Sequence, residues 1–205
     1  MKALILLEGN NDGIFLKEII QNTAFPNIRP NYYKNQGTKP QKKVEETKLL
    51  RGFCRKDCEY NLLIKEEGGK GFVLSLFHNV IVNFLIANKN IHLTVIFDHD
   101  GNDPTKEIEK INKNLQDKTF GRIELKPAVP KKQIIPGLYS REFFLTINQG
   151  KDNRNLTSFS FISFDKSLEC EVAKLCHKSE NEIDENDIKF FASKIKFNDL
   201  IPNSP

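Results

Sequence analysis

No apolar run in this chain approaches the ~18–20 residues that a helix needs to span a bilayer. The opening, MKALILLEGNND, has one lysine and a short apolar stretch, but a glutamate arrives at position 8 and no cleavage pattern follows. That reads as a first strand rather than a secretory leader, and the expectation is a cytoplasmic protein with no membrane contact. Cysteine is sparse: Cys54, Cys58, Cys170 and Cys176. Reduced thiols are the default in that compartment. A zinc site would have to join Cys54-x3-Cys58 to Cys176-His177, and adjacent ligands are not a usual second pair, so ordinary thiols are expected. A P-loop is excluded, because no Gly-Lys-Ser/Thr stands at the required spacing. There is no internal repeat. The excess of positive charge is small, +4 with a pI near 8.8, which permits a nucleic-acid partner without demanding one. What is present, 205 residues at 39% hydrophobic and 28% charged, suffices for one ample globular domain or a domain with an appendage.

The stretch that organises the rest is HLTVIFDHDGND, residues 92–103. An apolar run, Leu93 to Phe97, ends in Asp98-His99-Asp100-Gly101. It predicts a buried strand that delivers carboxylates to its C-terminal end. Side chains alternate on a strand, so Asp98 and Asp100 are expected to point the same way and His99 away from them. Two such carboxylates repel unless a cation or proton lies between them. Hard oxygen ligands suit Mg²⁺ or Mn²⁺.

Residues 3–7, ALILL, predict another strand buried on both faces, ending at Glu8-Gly9. Asn10 or Asn11 is then expected to cap a helix with Ile14, Phe15, Ile19 and Ile20 on its apolar face. Residues 22–58 form a basic loop or insert, with Tyr32-Tyr33 in a short strand and a helix from about Val44 to Arg55. Lys39, Lys42 and Lys43 there are candidates for phosphate contacts, against the plainer reading of a solvated charged loop. YNLLI, residues 60–64, predicts a strand. Gly68, Gly69 and Gly71 then precede a helix over 72–87; they either let backbone N–H groups approach an anion or supply a turn with positive φ. Pro104 opens a further helix carrying Ile108, Ile111 and Leu115, with Asp103 as its cap, and Arg122 to Leu125 makes a weaker fourth strand. The order βαβαβαβ argues a mostly parallel four-stranded sheet flanked by helices, with Glu8, Gly68-Gly69 and Asp98/Asp100 all at strand C-termini, where open α/β sheets bind ligands.

After Lys126 the pattern loosens. PAVPKKQIIPGLYS is proline-rich and basic. Residues 142–147 are short and apolar, and 148–158, NQGKDNRNLTS, read as a flexible loop. Phe159, Phe161 and Phe164 alternate as in a strand. Leu168 to Cys176 and Asp187 to Lys196 read as helices. The division expected is a core over residues 1–127 with a C-terminal α+β extension, 128–205, packed on it.

Glu8-Gly9-Asn10-Asn11-Asp12 before a helix, followed by Asp98-x-Asp100 after an apolar strand, resembles the Toprim domain shared by topoisomerases, primases, recombination-mediator proteins and small or OLD-family nucleases. Gly69 or Gly71 matches a glycine usual between the two motifs. The resemblance covers about residues 1–127 and implies a Rossmann-like fold. It gives Glu8 the role of general acid/base or metal ligand, and Asp98 and Asp100 that of holding Mg²⁺. Asp12 matches a position used for a second metal in nuclease-type members. Glu169, with Glu171 as second candidate, matches a later glutamate at a helix start. Lys131 or Lys132 matches a lysine those members use, and Lys70 joins the candidate nucleic-acid contacts. The implied function is Mg²⁺-dependent cleavage or transfer at nucleic-acid phosphodiesters, DNA or RNA, with a second copy of the chain or a partner protein as a further contact. One or two metals ~3.5–4 Å apart stabilise charge on the phosphate, attacking water and leaving oxygen.

Each acidic residue also has a plain structural use. Glu8 and Asp12 suit a helix N-terminus, Asp98 and Asp100 suit a turn, and Glu169 suits a surface. Two other functions compete. A non-catalytic Toprim module would bind nucleic acid or protein without needing the acidic set. VIFDHDGN also looks like the first motif of haloacid-dehalogenase-type phosphatases, with Asp98 as nucleophile. That motif belongs near a chain's start with an acidic pair downstream, and it leaves Glu8 unexplained. A calcium loop fails because a non-glycine stands where the turn is needed.

Overall fold

The computed structural model describes residues 2–23, 27–34, 40–80, 88, 90–102, 104–128, 130–149 and 152–201. The continuous apolar run at the start forms β1, Lys2–Leu7, buried from Ala3 onward. Helix α1, Asn10–Gln21, follows after two residues. Its cap position is taken by Gly9 rather than an asparagine, and the Gly9 N–H donates to Asp12 Oδ2 at 3.0 Å. Phe15, Leu16 and Ile19 make its buried stripe, with Ile14 and Ile20 only flanking it.

The 22–58 segment supplies β2, Pro30–Lys34, and α2, Pro40–Cys54. Then come β3, Leu62–Glu66; α3, Lys70–Val80; β4, Ile91–Asp98; α4, Pro104–Lys118; and β5, Ile123–Pro127. The expected reach of the third helix over 81–87 and the expected Asp103 cap lie outside the described residues. The last third holds β6, Lys132–Ile135; β7, Leu138–Gln149; β8, Asp152–Phe164; α5, Leu168–Cys176; α6, Glu185–Ala192; and the single turn α7, Phe197–Leu200.

The eight strands among the described residues join one sheet in the order β2-β3-β1-β4-β8-β7-β5, with β6 also paired to β7. The first five are mutually parallel; β7 is antiparallel to β8, β5 and β6. The expectation of a four-stranded sheet is therefore too small. β5 is not a neighbour of β4, because β8 and β7 lie between them. Residues 148–158 are not a loop: apart from 150 and 151 they belong to the long β7–β8 hairpin, whose polar residues pair through the backbone regardless of side-chain polarity.

Helices cover both faces. Leu50 and Phe53 of α2, Val73 of α3, and Ile111 and Leu115 of α4 bury one face with Leu63, Val95 and Phe97. Residues of α1, α5, α6 and α7 bury the other with Ile5, Ile64 and Ile96. This is the layered solution for a parallel sheet whose strands are apolar on both sides. It also separates the cysteines: Cys54 and Cys58 pack on the first face and Cys176 on the second, so the weighed zinc combination is not assembled.

Candidate active site

The C-terminal ends of β1 and β4 lie side by side, and the Asp98 N–H donates to Glu8 Oε1 at 3.0 Å. Two helix starts close over them. Asp12 comes from the first turn of α1 and is almost fully buried. Helix α5 follows β8, the parallel neighbour of β4, so its N-terminus arrives above Asp98. The Leu168 N–H donates to Asp98 Oδ1 at 3.1 Å, and Ser167 caps the same helix by accepting from the Cys170 N–H at 3.1 Å. Glu169, in that first turn, accepts from Asn11 Nδ2 at 2.6 Å. Glu8, Asp12, Asp98 and Glu169 thus converge from four elements across more than 160 residues of chain.

Their electrostatics follow from the crowding. Desolvation, above all, pushes the Asp98 carboxyl up to about 8, with the charges of Asp12, Glu8 and Glu169 adding to it. Burial raises Asp12 to about 7, assisted by Glu8 and Glu169 and opposed by the Gly9 N–H. Burial likewise raises Glu8 to about 7, against the Asp98 N–H and Lys70. Carboxylates in this state hold a proton near neutrality unless a cation replaces it. The donors are hard oxygens, which fit Mg²⁺ or Mn²⁺. Among the described residues, however, no three His, Cys, Asp or Glu side chains are already drawn together as a metal cage.

Asp100 differs from the expectation. The strand ends at Asp98, and Asp100 adopts φ 53° before Gly101 at φ 72°, so it leaves the alternation and stands exposed. Its carboxylate lies 3.4 Å from Lys70 Nζ and contributes its charge to the Glu8 environment. Lys70 opens α3 after Gly68 and Gly69, at φ 80° and 144°, which make the tight exit from β3. Its ammonium donates to the Asp98 carbonyl at 2.6 Å and pairs with Glu107 of α4 at 2.6 Å. Glu107 in turn bonds His99 Nδ1 at 2.9 Å. His99 is buried, edge-on to Phe97, so it belongs to the support of the strand end.

The remaining candidates are dispersed. Glu171 faces away, buried against the Gly137 turn and paired with Lys174 at 2.6 Å. Lys131 lies over the Tyr139 ring at 3.3 Å, and Lys132 is 3.4 Å from Asp199. Lys42 and Lys43 fall in the first turn of α2, and Lys39 is outside the described residues. Sequence reading missed Glu107, the bond from Asn11 to Glu169, and a separate buried group in which Lys65 is held by Glu67 at 2.6 Å and by Glu46. Only the break of an apolar strand by Lys65 and Glu67 signalled the last of these.

Fold and site together define an α/β protein with a mostly parallel sheet, flanked by helices, that gathers carboxylates at its strand C-termini. No family model, no curated protein and no solved structure matches the chain. No helix among the described residues is long and apolar enough to cross a membrane.

Proposed function

We propose that this chain is a Mg²⁺- or Mn²⁺-dependent nuclease or phosphotransferase of Toprim type, acting on nucleic-acid phosphodiesters. One observation carries the reading: Glu8, Asp12, Asp98 and Glu169 are brought by separate elements to one sheet edge, where burial and mutual repulsion hold three of them well above the usual carboxylate range. Each of the four accepts a backbone or amide N–H bond, and among the described residues the nearby cation is Lys70, which pairs with Glu107 and Asp100. In the proposed reaction Asp98, Asp12 and Glu169 would hold the metal, with exposed Asp100 adding its charge nearby. The metal would supply charge neutralisation at the phosphate and a more acidic water. Glu8, at about 7, is matched to moving a proton near neutral pH. Lys70, fixed by Glu107 and the Asp98 carbonyl, offsets repulsion between the acidic edge and a polyanion.

The test is cleavage of labelled single- and double-stranded DNA and RNA with EDTA, Mg²⁺ or Mn²⁺, using wild type beside Asp98→Ala and Glu8→Gln. Metal-dependent cleavage, lost in Asp98→Ala and reduced about 10²–10⁴-fold in Glu8→Gln, is the expected result. Metal-independent binding without cleavage of any substrate would replace the enzyme with a non-catalytic binding module.

A further inference from the structure

A cavity of about 190 Å³ lies at the C-terminal ends of β1, β3 and β2, beside α1. It is on the sheet face covered by α1 and α5, the face from which Asp12 and Glu169 come. Leu7, which borders it, immediately precedes Glu8, and Asn10 and Gly13, which also border it, flank Asp12 in α1, so the cavity adjoins the carboxylate edge. Glu66 ends β3 beside Leu7 and forms part of the wall. Its side chain is only 17% exposed. Lys34 of β2 reaches its Oε1 from the solvent side at 2.8 Å, while Oε2 faces α1, 3.8 Å from where a Cβ on Gly13 would stand. Oε2 accepts no hydrogen bond among the described residues. Lys17 of α1 is exposed, its ammonium 4.8 Å over the Tyr32 ring, and has no carboxylate partner among the described residues. The cavity therefore offers one open acceptor, one uncompensated cation and an aromatic wall.

A carboxylate oxygen repels a phosphate, so a polyanion lying here gains from Glu66 only by bringing it a hydroxyl. In dinucleotide-binding α/β folds an acidic side chain takes that part by accepting from a ribose 2′-hydroxyl. Glu66 is placed for it at the end of β3, the neighbour of β1. The turn Glu8-Gly9-Asn10-Asn11-Asp12 lacks the glycine pattern that cradles a pyrophosphate, so the sugar belongs to a strand along the carboxylate edge and not to a dinucleotide. The volume lies below the ~300 Å³ at which pockets for whole small molecules begin, and it suits a sugar with its phosphate more than a base. Glu66 is two strands from β4, about 10 Å at ~4.8 Å per strand. That is roughly three ~3.4 Å steps along a stacked nucleic-acid strand. We propose that this cavity holds one ribonucleotide of the substrate strand by its backbone, the sugar against Tyr32 with its 2′-hydroxyl donating to Glu66 and the phosphate on Lys17, so that the substrate is RNA rather than DNA. The proposal rests on the nucleic-acid reading above and narrows it to RNA, recognised here through sugar and phosphate and so without regard to base.

The experiment measures binding without metal. A fluorescent oligouridylate, the oligodeoxyuridylate of equal length and the 2′-fluoro oligomer are titrated in EDTA over a range of salt with wild type, Glu66→Ala and Lys17→Gln. The 2′-fluoro strand keeps an RNA-like sugar pucker but has no hydroxyl to donate. Wild type should bind the oligouridylate about tenfold tighter than either of the others, the share of one hydrogen bond to a charged group. Glu66→Ala should lose that preference by weakening the RNA alone. Lys17→Gln should weaken all three strands by the same factor and flatten the salt slope by about 0.7, the share of one phosphate contact on a single strand. The comparison of sugars needs only wild type, and Lys17 is exposed, so both remain informative if Glu66→Ala folds poorly. Equal affinity of wild type for the three strands, or 2′-fluoro binding as tight as RNA, overturns the proposal. So does an RNA preference that survives Glu66→Ala, strand binding indifferent to Lys17→Gln, or an absence of binding by wild type. Hydroxyl-dependent, Glu66-sensitive binding with no cleavage under any metal would keep the ribose site and remove the nuclease; metal-dependent cleavage of RNA and DNA alike, indifferent to Glu66→Ala, would do the reverse.

Discussion

Asp98, with Glu8 and Asp12, couples the fold to pH. Its folded-state value of about 8, and those of Glu8 and Asp12 near 7, lie above the ordinary 3.8–4.5 of an unfolded chain. The protonated forms are therefore the ones the fold prefers. Their contribution to stability is complete below about pH 4 and is lost as pH rises through 7 to 8. In EDTA, the melting temperature of wild type relative to Asp98→Asn should fall between pH 5 and 8. Mg²⁺ should raise the wild-type value more at pH 8 than at pH 5, because it then competes with fewer protons. Melting curves at several pH values check both, and a Mg²⁺ shift independent of pH would contradict the linkage. Lys65 carries a second expectation at this scale. It is fully buried between Glu67 and Glu46, and replacing it with methionine removes the cation that pairs with the buried Glu67, at a cost of about 3 kcal/mol. Urea denaturation measures it. Glu8 and Asp98 were legible in the sequence because each ends an apolar run. Glu107 was not: a residue's partner 37 positions away, as Lys70 is from Glu107, leaves no local pattern.

Elements announced themselves when their periodicity was apolar. Leu168–Cys176 was readable end to end, since Ser167 caps it and Leu168 and Val172 share its buried stripe. The β7–β8 hairpin was half legible. Its Phe159, Phe161 and Phe164 alternate in the core, while Asn153, Arg154 and Asn155 pair with β7 through backbone groups that composition does not reveal. Turns at the ends of elements carry their own strain. His177 ends α5 at φ 54°, and Phe120 follows α4 at φ 53° with 91% of its surface exposed. Glycine at either position should stabilise the protein by about 0.5–1 kcal/mol, read as a shift in the denaturation midpoint. Gly137, at φ 80°, behaves oppositely. A Cβ there would lie 2.0 Å from Glu171 Oε2, so Gly137→Ala should cost about 1–2 kcal/mol or more and loosen the Glu171–Lys174 pair.

At the scale of the whole molecule, the parallel half of the sheet draws strands from both ends of the sequence. β8 is the neighbour of β4 over Leu93–Asp98, and it carries α5 and Glu169 to the site. A fragment of residues 1–127 would bare the flank of β4 and the apolar surfaces of Ile96, Val95 and Phe97. It should fail to unfold cooperatively and should aggregate, as judged by circular dichroism melts and light scattering against the full chain. The fold class could be read from the order of strands and helices; the adjacency of β8 to β4 could not, because pairing between distant strands is decided by which apolar surfaces remain uncovered. The same adjacency governs how the chain emerges during translation. β4 is complete when Asp98 leaves the ribosome, but its partner is not complete until Phe164, about 3–13 s later at ~5–20 residues per second. Through that interval the nascent protein shows an open, apolar strand edge to its surroundings, and slower synthesis at low temperature lengthens the exposure unless a chaperone covers it.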